Sequence, residues 1–511
     1  MSGLKKDFTP LRLYIFGIFL FAVLFGYFCV WTHDDYLTNF SGLSELLRES
    51  LYFGNGRYIG NLIVNIFLPH KLPDALMRGF CLTLNIVLTA KLASAYHWKG
   101  IAVSAALFIG YGNLILREAF IWGHGFYNFF PPVTLLLMSV RILQCYYVDN
   151  GIKMKKTAIV LLAFFGFSQQ LFSENTTCIA LLISAVIFGF VFYNKKTKLP
   201  AAVYLAASAA GAFIMFALPE IMQVSYKMKD YRGRSIGADS LAEFVKQFTQ
   251  NMNVSLMTLA SLFFAWAFLS YVLIKNLMRD RAISKSGKMK KRVFMFVFAC
   301  YPAVSLFYFF VNEKKWKERI PLTSIKIPDI GAKLSYVVFA LFIISAICVF
   351  VALLSYVHEK NRRLLYIVLL GLAVLSVGEL LIITVMGTRC LFLPACILSV
   401  FILKLISDDG SFEKCFSVVS CAVGSAAMAA VLFVMGSIWN VNNARFAYAN
   451  QQLAEGKKII EIIRLPHERW LHVPNESAGY GFYFNYGETK PEEDYTYITY
   501  EDYLARQNLQ K

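Results

Sequence analysis

Apolar residues fall in long solid blocks along this chain, and polar residues gather in the short breaks between them. A block of about 20 apolar residues crosses the hydrocarbon core of a bilayer as a helix, which satisfies its own backbone groups. The pattern predicts about 13 spans, near residues 12–32, 74–92, 100–116, 127–147, 157–172, 177–194, 199–218, 254–275, 293–311, 334–357, 364–385, 390–406 and 415–438. The blocks are solid and not alternating, which excludes a transmembrane β-barrel. The first block, Leu13 to Trp31, follows Lys5, Lys6 and Arg12. It is long for a signal-peptide core and shows no clear small-residue cleavage site, so it is expected to remain as the first helix.

Composition agrees. Of 511 residues, 58% are apolar and 16% charged, and the mean hydropathy is +0.54. Soluble domains run about 45–50% apolar and about 25% charged. A soluble enzyme, a disordered chain, a coiled coil and a secreted disulfide scaffold are excluded. The net charge is +18, yet the segment from Val441 to Lys511 holds 8 basic and 10 acidic residues. The basic excess therefore flanks the spans, as on the cytoplasmic side of membrane proteins. It does not point to nucleic acid. The ten cysteines lie in or beside apolar blocks with no CxxC and no Cys/His metal spacing, and read as small packing residues.

Alternating from a cytoplasmic N-terminus puts Lys91/Lys99, Lys153/Lys155/Lys156, Lys195/Lys196/Lys198, the block Arg279–Arg292 and Lys360/Arg362/Arg363 inside. The loop Asn312–Lys333, with six cations, resists that scheme. An odd count leaves the C-terminus extracytoplasmic. Two units follow: a multispanning domain, 1–438, with a long first outer loop at 33–72, and a small polar α/β tail, 439–511. In the tail, Ala444–Glu455 reads as helix and Lys458–Leu465 as a strand. Glu220–Asn253 forms another outer loop with one amphipathic helix.

Four polar breaks fall on the predicted outer face. The first loop opens with His33-Asp34-Asp35-Tyr36, continues through an amphipathic Ser41–Leu51, and reaches Gly54-Asn55-Gly56-Arg57. A partly buried carboxylate can serve as general base, and an arginine can fork a phosphate. The bland reading has the aspartates capping the interfacial helix and Arg57 snorkelling. The second break, Arg117–Pro132, holds Arg117, Glu118, His124, Tyr127 and Asn128, with a double proline expected to open the next helix. Its aromatics suit either a sugar-stacking wall or an interfacial belt. The third is Ser173-Glu174-Asn175-Thr176-Thr177, where a glutamate sits at the membrane boundary. The fourth is Gly387–Cys390. Arg389 there faces either function or a structural pair with Glu379, ten residues back in the preceding span. No P-loop, GxGxxG, HExxH or GxSxG is present, and no metal site is predicted.

A single helix, an acidic pair opening the first outer loop, an Asn-Gly-Arg turn and many further spans resemble the GT-C superfamily of polytopic glycosyltransferases. The nearest likeness is to bacterial membrane glucosyltransferases that decorate O-antigens and other surface polymers, and to their multispanning relatives. Trp122-Gly123 through Tyr127-Asn128 to Pro131, and Ser173-Glu174-Asn175, carry the likeness further. It covers about the first 200 residues. It implies a GT-C-like all-α fold and transfer of a sugar from a polyprenyl-phosphate donor to a surface glycopolymer or lipid-linked glycan, probing a bilayer-embedded donor from the outer face with inversion at the anomeric carbon. By the same likeness Asp35 or Asp34 is the base. Arg57, Arg117 and Arg389 hold the phosphate. Glu174, Asn175, Tyr127 and His124 line the sugar pocket, and Asn55, Glu118, Asn128 and Glu379 complete the substrate-binding set. No cofactor is implied; a divalent metal is neither indicated nor excluded.

Two other classes fit the same composition. A flippase for lipid-linked saccharides predicts charges along the whole transmembrane path and often an inverted repeat; no repeat is visible and the polar groups gather at one face. A non-enzymatic scaffold of a polymer-assembly complex would use the tail as its binding module.

Overall fold

The computed structural model describes residues 2–32, 56–148, 154–217, 262–279, 359–378, 387–410, 414–457, 459–471 and 495–509, with scattered positions between them such as Asp35, Leu47, Ser50, Asn251 and Leu380. The chain is mostly helical. Its helices are α1 (Ser2–Phe28), α2 (Tyr58–Phe67), α3 (Lys71–Leu92), α4 (Trp98–Ile109), α5 (Gly112–Leu116) and α6 (Gly123–Tyr147). There follow α7 (Lys156–Ser168), α8 (Glu174–Tyr193), α9 (Leu199–Phe216), α10 (Phe263–Arg279), α11 (Lys360–Gly378), α12 (Phe392–Asp408) and α13 (Lys414–Ala454). Strand β1 (Ile460–Ile463) pairs in parallel with β2 (Tyr495–Ile498), Ile460 opposite Tyr495, and α14 (Tyr500–Leu509) closes the described chain.

Among the described residues, 8 helices are long and apolar enough to cross a membrane, or up to 9 if the bent pair α4–α5 is one span. Outward faces stay apolar: Leu13, Phe16, Leu20 and Leu24 form an exposed stripe along α1 at helical spacing. Among the described candidate spans the most enclosed is the one that includes α12, buried from Leu391 to Leu403.

Three sequence expectations change. The apolar run at 100–116 is not a straight span. Gly110-Tyr111-Gly112 breaks it, Gly112 takes φ of +77°, and the two halves meet at 82°. A hydropathy window sees apolar residues on both sides of the break and is blind to the bend. The helix after the second break opens at Gly123 and not at the double proline, so Pro131 and Pro132 lie inside α6. They leave the carbonyls of Tyr127 and Asn128 without the usual helical donors. Finally, the helix expected at 444–455 is the far end of α13, which runs without a break across residue 439. Its 41 residues make about 61 Å of helix, twice the thickness of a hydrocarbon core. The expected spans at 293–311 and 334–357 fall largely outside the described residues, as do the amphipathic stretch 41–51 and the loop 312–333.

The two ends of the bundle differ. At one end Gln144 donates to Leu92 O (3.1 Å), Tyr147 to Thr197 O (2.7 Å) and Ser407 to Ser94 O (3.2 Å). Lys91, Lys99, Lys155, Lys156, Lys195, Lys196, Lys198, Arg362 and Arg363 crowd this end. The opposite end gathers the polar breaks. There the Trp439 ring of α13 meets Tyr27 and Phe28 at the close of α1, at 6.1 and 5.8 Å. Residues Asn440–Ala454 carry α13 on by about 22 Å, and the two-stranded sheet packs against that extension.

Candidate functional site

The floor of the polar end is aromatic. Phe25 stacks on Phe120 (4.4 Å) and Phe130 on Phe392 (4.0 Å), with Phe126 edge-on to Phe120. All five rings are buried, which makes a dry and rigid base. On it lies Arg117–Ile121, a π-helical turn, a form that tends to accompany functional sites. A fully buried ion pair holds this turn from below. Arg78 Nε donates to both oxygens of Asp74 at 3.0 Å, its Nη1 donates to the carbonyls of Phe120 and Ile121, and its guanidinium lies 4.8 Å from the Phe126 ring centre. Tyr127 OH adds a bond to Asp74 at 2.8 Å. Sequence reasoning passed over Asp74 and Arg78. Their signal was present: opposite charges four apart in an apolar helix.

Four chain segments meet above this floor. Asp35 reaches the second break, where its carboxylate accepts from Gly123 N (3.2 Å), His124 N (3.1 Å) and His124 Nδ1 (3.1 Å), and also from Thr32 N (3.0 Å). A Cβ on Gly123 would stand 2.7 Å from Asp35 Oδ1, so only glycine lets the carboxylate this close. Arg57, in the first loop and directly before α2, forks onto Glu174 at the start of α8: Nη2 to Oε2 at 2.7 Å and Nε to Oε2 at 3.1 Å. Glu118 accepts from Arg117 Nη2 (3.4 Å) and from the backbone N of Arg389 (3.3 Å), with Arg389 Nη1 at 3.5 Å. The Arg389 guanidinium lies over Trp122, 4.9 Å from its ring centre. Thr388 ties the 3-10 turn that carries Arg389, Thr388–Leu391, to α5 through Leu114 O at 2.7 Å. A Cβ on Gly387 would come within 2.6 Å of Arg389 Nη1, so any side chain there would push the guanidinium aside.

The Cys390 thiol lies within electrostatic range of Arg389, Glu118, Arg57 and Glu174 together. Both ion pairs thus lie in the surroundings of Cys390. Arg117 keeps a buried Nε with no hydrogen-bond partner among the described residues, an open donor on the guanidinium that meets Glu118. Three guanidiniums with two glutamates and a His–Asp pair can hold an oxyanion and move a proton.

Not every expected residue joins this cluster. Tyr127 is fully buried and turned to Asp74, because α6 begins a turn earlier than expected. It supports the floor and does not form a sugar wall. Asn128 donates to His124 O at 2.7 Å, its Oδ1 is buried without a partner among the described residues, and Asn175 pairs with Ser173 Oγ. Arg389 meets Glu118. Asp34, Asn55 and Glu379 lie outside the described residues. Among the described residues no group of three or more His, Cys, Asp and Glu is placed to hold a metal.

The tail reaches this end too. Asn113 Nδ2 on α5 donates to Arg469 O at 3.3 Å, and Trp470 and Leu471 join the main apolar core. No protein-family model matches the chain, and no curated protein or solved structure matches it.

Proposed function

We propose that the chain is a membrane glycosyltransferase of GT-C type. It moves a sugar from a polyprenyl-phosphate donor to a surface glycopolymer or lipid-linked glycan. The observation that carries this reading is the convergence of Arg57, Arg117 and Arg389 around Glu118 and Glu174, beside Asp35–His124, at one end of an apolar bundle. A phosphodiester in a lipid headgroup presents anionic oxygens at that depth, and guanidinium forks suit them. The buried open Nε of Arg117 is a donor such a phosphate would satisfy.

In this reading the chain has about 13 spans, a cytoplasmic N-terminus and an extracytoplasmic tail. The cations of the opposite end support that orientation, as does the packing of Arg469 on the site's own end. Lipid-linked sugars are the donors open to an outward-facing enzyme. The acceptor hydroxyl attacks the anomeric carbon and the polyprenyl phosphate departs, with inversion.

The test is direct. Full-length protein in lipid vesicles is mixed with membranes from cells lacking it, which hold both native donor and unmodified acceptor. One added sugar mass on the polymer is expected with wild type and none with Arg57→Gln. Sugar translocation across the vesicle without transfer would favour a flippase and refute the proposal.

A further inference from the structure

Asp35 is 1% exposed, and each of its carboxylate oxygens already accepts two N–H bonds: Oδ1 from His124 N and Nδ1, Oδ2 from Thr32 N and Gly123 N. An ionised carboxylate has about four lone-pair sites, and here all four are occupied. To take a proton from an acceptor hydroxyl it would have to release one of these donors and unfasten the loop from α6. The same geometry fixes the ring of His124. A carboxylate only accepts, so Nδ1 must carry its hydrogen, and the neutral imidazole has its lone pair on Nε2. The His124 side chain is 20% exposed against 1% for Asp35. Of the pair, the imidazole is the member a substrate can reach.

We infer that His124 is the general base of the transfer and that Asp35 is a positioning residue acting through it; this rests on the glycosyltransferase reading. As the acceptor oxygen forms its bond to the anomeric carbon, its proton passes to His124 Nε2. The bond from the anomeric carbon to the phosphate oxygen breaks, and its electron pair leaves with the polyprenyl phosphate. Asp35 keeps its charge throughout and stabilises the imidazolium that forms. The arginines receive the charge gained by the phosphate. The arrangement follows the general logic of a base oriented by a third group. Gly123 belongs to it, because any side chain there would displace the carboxylate.

The experiment combines a spectroscopic and a kinetic readout on the full chain in lipid vesicles. Histidine is labelled with ¹⁵N, and the His124 signals are identified by their absence in His124→Gln. Wild type is expected to show the Nδ1-protonated tautomer at His124. In Asp35→Asn the amide can turn a donor toward Nδ1, and the tautomer is expected to switch. In the assay with deletion-strain membranes, His124→Gln is expected to lose about 100-fold or more in kcat with KM within about threefold. Its residual rate should lose the wild-type dependence across about pH 5–8, where imidazoles titrate. Asp35→Asn should lose about tenfold or more in kcat. A His124→Gln enzyme within about threefold of wild type overturns the assignment, and so does an unchanged tautomer in Asp35→Asn. Should Asp35→Asn fail to insert, the wild-type tautomer and His124→Gln decide alone. If wild type transfers nothing, the glycosyltransferase reading itself falls and the base assignment with it.

Discussion

Arg57 and Glu174 stand 117 residues apart in sequence and meet in a forked ion pair, with Nη2 to Oε2 at 2.7 Å and Nε to the same oxygen at 3.1 Å. The pair binds the first loop, directly before α2, to the start of α8. It is partly open to solvent, the side chains being 12% and 26% exposed, so its share of stability is small, about 1 kcal/mol. Its geometry matters more than its charge. Arg57→Lys keeps the charge and loses the planar fork. We expect at least about a tenfold fall in sugar transfer with a melting temperature within a few degrees of wild type, read by the membrane assay and by thermal unfolding. An active Arg57→Lys would show that the fork has no part in the reaction.

Gly387 offers a cleaner separation of site from scaffold. An added methyl would meet Arg389 Nη1 at 2.6 Å and Glu118 Oε2 at 2.9 Å, whereas at Gly371 it would meet nothing within 4 Å. Gly387→Ala should raise KM for the donor about tenfold through displacement of Arg389. Gly371→Ala should match wild type in kcat, KM and expression. Steady-state kinetics on both variants checks this.

The buried pair under the site should behave in the opposite way. Asp74 and Arg78 are both enclosed, and removing one partner leaves an uncompensated buried charge, at a cost of about 3–5 kcal/mol. Arg78→Met should therefore lower the thermal midpoint sharply, or prevent folding. Tyr127→Phe, which deletes one bond to Asp74, should cost only about 1 kcal/mol. Unfolding of the detergent-solubilised proteins orders the three, and a stable Arg78→Met would contradict the role given to the pair.

In the tail, Arg506 Nη1 donates to Glu461 Oε2 at 2.6 Å and Tyr448 OH to the same oxygen at 2.7 Å. The Arg506 hydrogen bond first, and that of Tyr448 second, hold the Glu461 carboxyl below its ordinary value of 4.5. A depressed carboxylate stabilises the fold above its unfolded value and loses that contribution as pH falls through the folded one. Hydrogen-exchange protection factors of β1 should hold steady from about pH 7 to 5 and decline below about 4. Arg506→Gln should move the decline to higher pH. Protection unaffected by the variant would remove Glu461 from the tail's pH response.

Much of this arrangement is legible in the sequence because it is local. Solid apolar blocks give the spans, and Lys458–Leu465 contains the strand Ile460–Ile463. The polar breaks holding Asp35, Arg117–His124, Glu174 and Arg389 could be assigned to one end by parity alone, and in the structure they meet there. What sequence misses is set by packing. Arg389 meets Glu118, 271 residues away in the chain, a contact that no local pattern announces. Tyr127 looked like part of a polar turn until the start of α6 at Gly123 turned it to Asp74. The length of α13 was hidden because its second half changes from apolar to polar with no proline to mark the change.

The most direct test of the central claim is mass spectrometry of surface polymers from host cells lacking this chain, complemented either by wild type or by Asp34→Asn/Asp35→Asn. The account predicts that one sugar mass disappears in the deletion, returns with wild type, and reaches about a tenth or less of its wild-type level with the double variant at normal membrane levels. Loss of the whole polymer, or full restoration by the double variant, would contradict it.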